Sequence, residues 1–279
     1  MPLPNGTILK LRETEAGQVG EALMSSQSLL VTGEPGSGKT TLGNQIKERL
    51  EGAGYTVAIA SYAGAAKETL TTIADQLSVS TVTDDDRPKQ LTAAQLRDAL
   101  LKALQRPKTC LIADDAHRWS SSLRYWLEDI HRGKGLLLLL AYDAQPKDIF
   151  TKMPLFTLSA VPDDEIRELM RGEAIEQGIT LGTKELADLQ QRAGNNPAIA
   201  KRVVRETVLG LGEDRSQEHY QYIDGTPFLV ALIAMIGVVR FVGLGLGDKA
   251  LYVLGGIMTI GALVLRSVLY AANRGRRRL

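Results

Sequence analysis

Roughly the first 200 residues alternate between short apolar runs and stretches with helical spacing. Five apolar runs are continuous rather than alternating, and they cover residues 28–32, 56–60, 109–113, 136–141 and 155–159. Continuous runs are typical of strands that are buried on both faces of a parallel sheet. Between these runs, apolar side chains recur three and four residues apart, as in Leu70, Ile73, Ala74 and Leu77. The alternation predicts an α/β domain in which a parallel sheet forms the middle of three layers.

After residue 160 the pattern becomes wholly helical. One predicted helix carries Ile166, Leu169, Met170 and Ala174. Another begins at Pro197, with Asn196 as its N-cap, and Thr92 and Gln95 form a capping box earlier in the chain. We therefore expect a core over 1–160, a small helical lid over 161–209 and a polar linker over 210–225.

The composition of the last quarter of the chain differs from that of the rest. Its 279 residues carry a net charge of +1, so the charge balance gives no sign of a nucleic-acid-binding protein. Residues 226–272 are mostly apolar, and their only charged side chains are Arg240, Asp248, Lys249 and Arg266. The single cysteine, Cys110, excludes an internal disulfide, and the three histidines lack the spacing of metal ligands.

Residues 33–40 read GEPGSGKT and match the pattern G-x-x-x-x-G-K-[ST] of a phosphate-binding loop, or P-loop. Glycines let the backbone direct several N–H groups at a polyphosphate, and the helix that follows adds its positive end. Lys39 is predicted to neutralise the β- and γ-phosphates, and the Thr40 hydroxyl to hold Mg²⁺. The predicted nucleotide-binding residues are Gly33, Glu34, Pro35, Gly36, Ser37, Gly38, Lys39, Thr40 and Thr41.

Two carboxylates end the third apolar run, where residues 109–115 read TCLIADD. We predict that Asp114 binds Mg²⁺ together with Thr40, and that Asp115 polarises the attacking water. Asp115 could instead cap the turn that follows. The next run should lie between the P-loop strand and this strand, so Asp143 or Gln145 beyond its end could touch the γ-phosphate, unless they only form a turn. No N-K-x-D guanine signature occurs, which favours ATP over GTP.

Three stretches together resemble AAA+ ATPases: GEPGSGKT, ADDAHRW over 113–119 and AGNNPAIAKRVV over 193–204. The resemblance covers roughly residues 10–209. It is strongest to the branch with the ATPase components of type II secretion, transposition ATPases and origin-recognition proteins. It implies a P-loop NTPase fold with a helical lid. It also implies ATP bound between subunits of a homo-oligomeric ring or arc, with an arginine donated in trans.

The same resemblance implies roles for several cations. Arg132 is the main candidate for the trans arginine, with Arg124 as an alternative, although either could be an ordinary surface charge. The lid sensor would be Arg192, Lys201 or Arg202. The sequence departs from the family pattern in two ways: Asp115 stands where the family has glutamate, and no arginine lies between residue 141 and Arg167. The shorter reach of Asp115 favours slow hydrolysis and a nucleotide switch over a motor.

Two apolar segments, 227–246 and 251–272, contain 20 and 22 residues. Each is long enough for a helix to cross a hydrocarbon core of about 30 Å. In the first, the apolar side chains favour insertion by about 4–7 kcal/mol, against about 3 kcal/mol for Arg240. We expect a transmembrane hairpin over 226–273, with Arg240 and Arg266 reaching opposite interfaces or facing a partner. A buried hairpin in a soluble protein is the alternative.

The basic tail over 274–279 predicts the orientation of this hairpin. Because cytoplasmic flanks are enriched in Lys and Arg, both termini and the ATPase domain should lie in the cytoplasm, with the hairpin in the cell inner membrane. The sequence thus favours a membrane-anchored AAA+ ATPase that hydrolyses ATP with Mg²⁺ and acts on a membrane-associated process or membrane protein partner. The alternatives are a slowly hydrolysing, nucleotide-gated scaffold and a membrane-tethered ATPase that handles DNA.

Overall fold

The computed structural model describes residues 11–84, 87–144 and 148–211, together with Gly245, Val253 and Gly256. The chain divides into two units, Met1–His219 and Tyr220–Leu279, and every element named below lies in the first. In the second unit the three described residues are helical. Within the described residues, no helix has the length and apolar character needed to span a membrane. Apart from those three residues, the predicted hairpin and its two arginines fall outside the described part.

Five parallel strands form the sheet in the order β2-β3-β4-β1-β5. This result confirms the predicted parallel sheet and the predicted place of β4 between β1 and β3. The strands are β1 Leu29–Thr32, β2 Thr56–Ser61, β3 Thr109–Asp114, β4 Leu136–Ala141 and β5 Leu155–Thr157.

Helices cover both faces of the sheet, as expected for three layers. One apolar cluster joins α1 and α2 to Leu29, Val31 and their neighbours, and the other joins α3, α4 and α5 to residues such as Leu30. Because side chains alternate along a strand, successive residues of β1 enter different clusters. The helices are α1 Glu13–Met24, α2 Lys39–Gly52, α3 Ala66–Gln76, α4 Ala93–Leu104 and α5 Ser121–Arg132. The capping box of Thr92 and Gln95 is formed at the start of α4, as predicted.

The edge strand β5 differs from its prediction. The apolar run over 155–159 predicts a strand buried on both faces, but β5 has three residues and Leu155 is 54% exposed. Among the described strands β5 pairs with β1 alone, so it lies at the edge of the sheet.

The three helices of the lid have an apolar core of their own, to which Leu11 also belongs. Asn196 caps the third helix through its side chain and Pro197 occupies the first turn, which confirms that prediction. The lid helices are α6 Asp163–Glu176, α7 Thr183–Ala193 and α8 Pro197–Val208.

Candidate functional site

The P-loop joins β1 to α2 at the carboxyl edge of the sheet. Gly36 and Gly38 have φ angles of +79° and +92°, in the left-handed region that glycine adopts without strain. This curled path delivers the chain to Lys39, where α2 begins. The first N–H groups of a helix have no partner within it, so they are available to a bound anion.

Five successive carbonyls of the P-loop accept hydrogen bonds, two from Lys39 and three from residues outside the loop. The Lys39 Nζ donates to the carbonyls of Gly33 and Glu34, at 2.7 and 2.8 Å. The next three carbonyls, of Pro35, Gly36 and Ser37, accept from Asn196 Nδ2 at 2.8 Å, Ala198 N at 3.2 Å and Arg12 Nη2 at 3.0 Å. The loop is thus held by its own lysine, by the lid and by the segment before α1.

Lys39 sits in a mixed electrostatic environment. Its side chain is largely buried, and burial lowers its pKa, while the negative charges of Asp115, Asp114 and Glu34 oppose that shift. A bound triphosphate would supply further negative charge and favour the charged ammonium. To reach a phosphate, the Nζ would exchange the two loop carbonyls for phosphate oxygens.

Asp114 and Thr40, the two predicted Mg²⁺ ligands, are in direct contact. The Thr40 hydroxyl donates to Asp114 Oδ2 at 2.9 Å, and Asp114 is buried at the end of β3. The Ser61 hydroxyl approaches the same oxygen at 3.4 Å. Mg²⁺ prefers such oxygen donors and retains several waters or phosphate oxygens, so these residues fit the ion. Ser61 was not found from sequence; it pairs with Asp114 across β2 and β3, and only the strand order would have indicated it.

Asp115 lies just beyond Asp114, with its backbone in the left-handed region at φ +48°. Its side chain makes no capping hydrogen bond to the short 3-10 turn that follows, and one oxygen lies 3.5 Å from Arg118 Nη1. The carboxylate is 40% exposed and remains accessible to a water. The geometry therefore leaves Asp115 in a position to orient a water, with a shorter side chain than glutamate.

His117 links the end of β3 to the end of β4, a role that the sequence did not indicate. Its Nδ1 accepts a hydrogen bond from the backbone N–H of Tyr142 at 3.3 Å. Burial lowers the pKa of His117, with further influences from Asp115 and Lys39. The lowered pKa favours the neutral imidazole, which is the form whose Nδ1 can accept that bond. Of the two γ-phosphate candidates beyond β4, Asp143 is exposed and Gln145 lies outside the described residues.

The two arginines proposed for a neighbouring subunit occupy different settings. Arg124 is buried, and its guanidinium donates to Asp148 at 2.9 Å, to Ser121 at 3.2 Å and to the carbonyl of Trp119. Those bonds commit Arg124 to its own chain. Arg132 is 71% exposed and pairs with Asp129 in the same helix at 2.9 Å, so it is accessible to a second copy.

The predicted lid sensors form ion pairs inside the lid. Arg192 and Arg202 lie 3.2 and 3.5 Å from Glu206, and Lys201 lies 3.6 Å from Glu173. The Arg192 and Lys201 pairs connect α8 to α7 and α6, and the Arg202 pair lies within α8. Two uncharged lid residues, Asn196 and Ala198, hydrogen-bond to carbonyls of the P-loop.

Arg12 is a further residue that sequence reasoning missed. It is 2% exposed, and its guanidinium bonds the carbonyls of Ser37 and Ser159 as well as the carboxylate of Glu15. It therefore braces the P-loop against the segment between β5 and the lid. No local sequence pattern marks such a residue.

Comparison with known proteins supports the same fold. Residues 23–149, less than half of the chain, match the family profile described as "AAA domain". A structure titled "DNA replication initiation factor" shares 13% identity and a TM-score of 0.51, and the match covers 88% of this chain and 73% of that one. At this identity the likeness shows the fold.

Two further structures have the lower TM-scores of 0.48 and 0.47. The replication initiator DnaA, bound to AMPPCP and single-stranded DNA, shares 12% identity, and the match covers 82% of this chain and 69% of that one. A RuvB variant from Thermotoga maritima shares 16% identity over 74% of this chain, which spans 66% of that one, slightly less than two thirds. The chain has no match among the curated protein sequences. The family profile and the parallel sheet together support an AAA+ P-loop ATPase domain.

Proposed function

We propose that this protein is a membrane-anchored AAA+ ATPase that binds and hydrolyses ATP with Mg²⁺. The observation that carries the proposal is the 2.9 Å contact between Thr40, on the first turn of the P-loop helix, and the buried Asp114. A P-loop threonine and an acidic strand end are the protein ligands expected for the Mg²⁺ of a nucleoside triphosphate. When bound, the ion neutralises charge that develops on the phosphates.

The residues of this chain then have distinct roles. The N–H groups of the P-loop and Lys39 hold the phosphates, and Thr40 and Asp114 hold the ion. Asp115 orients the attacking water. The exposed Arg132 of a neighbouring subunit stabilises charge in the transition state, so the active form is an oligomer.

The membrane part of the proposal rests on the sequence of residues 226–279. In this proposal the two apolar segments are the anchor, and the arginine-rich tail supports a cytoplasmic position of the ATPase domain at the cell inner membrane. The hairpin either tethers the oligomer or passes its movement to a membrane protein partner.

ATP turnover by the full chain in detergent tests the enzymatic part. The wild type should release phosphate in a Mg²⁺-dependent manner, and Lys39→Ala should abolish that release because the main phosphate-binding cation is lost. Arg132→Ala should lower turnover with ATP affinity retained. Arg106→Ala, which alters another exposed arginine, is the matched control and should act as wild type. Equal turnover in the wild type and Lys39→Ala would refute the proposal.

A nucleotide-gated scaffold is the second candidate, and the setting of Asp115 favours it. The short carboxylate lies 3.5 Å from Arg118, which competes with a water for it. If slow hydrolysis reflects this short reach, Asp115→Glu should raise turnover, and the oligomeric state of the wild type should depend on bound ATP. Brisk wild-type turnover that Asp115→Glu leaves unchanged would count against a scaffold.

DNA handling has weaker support. The lid cations Arg192, Lys201, Arg202 and Arg205 pair with the buried Glu173 and the partly buried Glu206, which offset part of their charge. A DNA-handling protein should bind duplex DNA with an affinity that falls steeply as salt rises, because counterions are released from phosphates. Absence of salt-sensitive binding would dismiss this function.

A further inference from the structure

The side chain of Asn196 has two roles, because it caps α8 and also bonds to the P-loop. Its Oδ1 accepts hydrogen bonds from the N–H groups of Ala198 at 3.1 Å and Ile199 at 3.3 Å, which caps α8. Its Nδ2 donates to the carbonyl of Pro35 in the P-loop at 2.8 Å. The residue is 5% exposed, so water does not readily replace either bond.

The contact between α8 and the P-loop leaves no room for a side chain. A Cβ built on Gly36 would lie 2.6 Å from the Ala198 Cβ and 2.7 Å from the Asn196 Oδ1. The N–H of Ala198 also donates to the carbonyl of Gly36 at 3.2 Å. The P-loop backbone is therefore in direct contact with the start of α8, and the hydrogen bonds across this contact can pass a change in the loop to the helix.

The rest of α8 is fastened to the other lid helices. Arg205 donates to Glu173 of α6 at 2.6 Å, and Glu206 accepts from Arg192 of α7 at 3.2 Å. Both carboxylates are largely buried. A displacement imposed at the first turn of α8 is therefore shared by all three helices.

We propose that Asn196 is a positioning residue that couples the lid to the state of the P-loop. The inference rests on the proposed function, because ATP is what draws Lys39 away from the carbonyls of Gly33 and Glu34. Release of those carbonyls changes the segment next to Pro35. The Asn196 bond to Pro35 carries that change into α8. The uncharged amide of Asn196 thus provides a link between the nucleotide and the lid, and Lys201 and Arg205 join α8 to Glu173 of α6.

The substitution Asn196→Asp keeps the cap of α8 and removes the hydrogen bond to Pro35. An aspartate caps a helix about as well as an asparagine, but it has no N–H to donate to Pro35. Asn195→Asp is the matched control. In the wild type, Asn195 Nδ2 donates to the carbonyl of Val161 at 2.6 Å and to the carboxylate of Asp163 at 2.9 Å, both at the start of the lid. The control therefore loses the same kind of donor without touching the P-loop.

Amide hydrogen exchange of the full chain in detergent measures the exchange rates of the P-loop and of the lid separately. Peptides over 33–42 and 197–208 are followed with and without Mg²⁺ and the β,γ-imido analogue of ATP. In the wild type and Asn195→Asp, both peptides should exchange more slowly with nucleotide, the lid peptide by at least about fivefold. In Asn196→Asp the loop should still slow, but the lid by less than about twofold.

Each other outcome has a definite meaning. A lid response in Asn196→Asp as large as in the wild type would overturn the coupling role. The lid of Asn196→Asp could be unfolded even without nucleotide. In that case the experiment uses Asn196→Ser, because serine also caps a helix and has no amide donor. The lid peptide of Asn196→Ser should then respond to the nucleotide by less than about twofold. A wild type whose loop peptide ignores the analogue would instead contradict nucleotide binding, which is the failure of the proposed function.

Discussion

Gly36→Ala would force a methyl group into the contact between the P-loop and the lid. Two separate penalties follow. The backbone at Gly36 has φ +79°, which an alanine adopts at a cost of about 1–2 kcal/mol. The new Cβ would also lie 2.6 Å from the Ala198 Cβ, and overpacking of this kind costs about 1–3 kcal/mol.

Comparison of Gly36→Ala with Gly178→Ala isolates the second penalty, the steric clash. Gly178 lies between α6 and α7 with φ +75°, and no heavy atom lies within 4 Å of the position of its Cβ. The control therefore shares the backbone cost and lacks the clash. We expect the free energy of unfolding to fall by about 1–2 kcal/mol in Gly178→Ala and by about 2–5 kcal/mol in Gly36→Ala.

Urea unfolding in detergent measures both changes. The fluorescence of Trp119 and Trp126, which are buried in the core, reports the transition. Gly36→Ala should also weaken ATP binding, because the loop and the lid cannot both keep their positions. Gly178→Ala should bind ATP as the wild type does. Equal losses of stability in the two variants would refute the close packing of lid and loop.

Three further predictions follow from single contacts. Asp114→Asn should lower Mg²⁺-dependent ATP turnover by roughly 100-fold or more, and near-normal turnover in a phosphate-release assay would contradict the metal site. Thr92→Ala removes the cap of α4 and should lower the free energy of unfolding by about 1 kcal/mol without changing ATP affinity. Burial alone would raise the pKa of Glu173, but Arg205 and Lys201 hold it below its usual range. The stability that Glu173 contributes is therefore present above about pH 4.3 and is lost as the pH falls through the folded-state pKa. Near neutral pH, the free energy of unfolding of Glu173→Gln should be lower than that of the wild type. The difference between the two free energies should become smaller as the pH falls. A difference that does not depend on pH in urea titrations would disprove this.

Local patterns were enough to predict the sheet and the phosphate site. Continuous apolar runs marked the strands because a parallel sheet covered on both faces needs apolar side chains on both. The glycine spacing before Lys39 identified the P-loop because few other chain paths let N–H groups converge. Thr40 and Asp114 could be paired in advance since parallel strands end at the same edge of the sheet. The caps at Thr92 and Asn196 needed only the preference of these side chains for free N–H groups.

Contacts that no motif or strand end indicates could not be predicted in this way. Arg12 reaches Ser37 across 25 positions, and Asn196 reaches Pro35 across 161. Neither pairing leaves a periodic or compositional trace. The exposure of Leu155 and the burial of Arg124 likewise depend on which neighbours the fold supplies. Reasoning from the sequence therefore found the P-loop and the predicted metal ligands, and it missed the residues that hold the loop in place.

Calorimetric titration of the full chain with ATP and Mg²⁺ tests the central claim most directly. The account predicts one binding site per chain in the wild type and an affinity at least about 100-fold lower in Lys39→Ala, because hydrogen bonds to charged groups contribute about 1.5–3 kcal/mol each and Lys39 can make more than one. Binding that is absent in the wild type, or equally tight in Lys39→Ala, would contradict it.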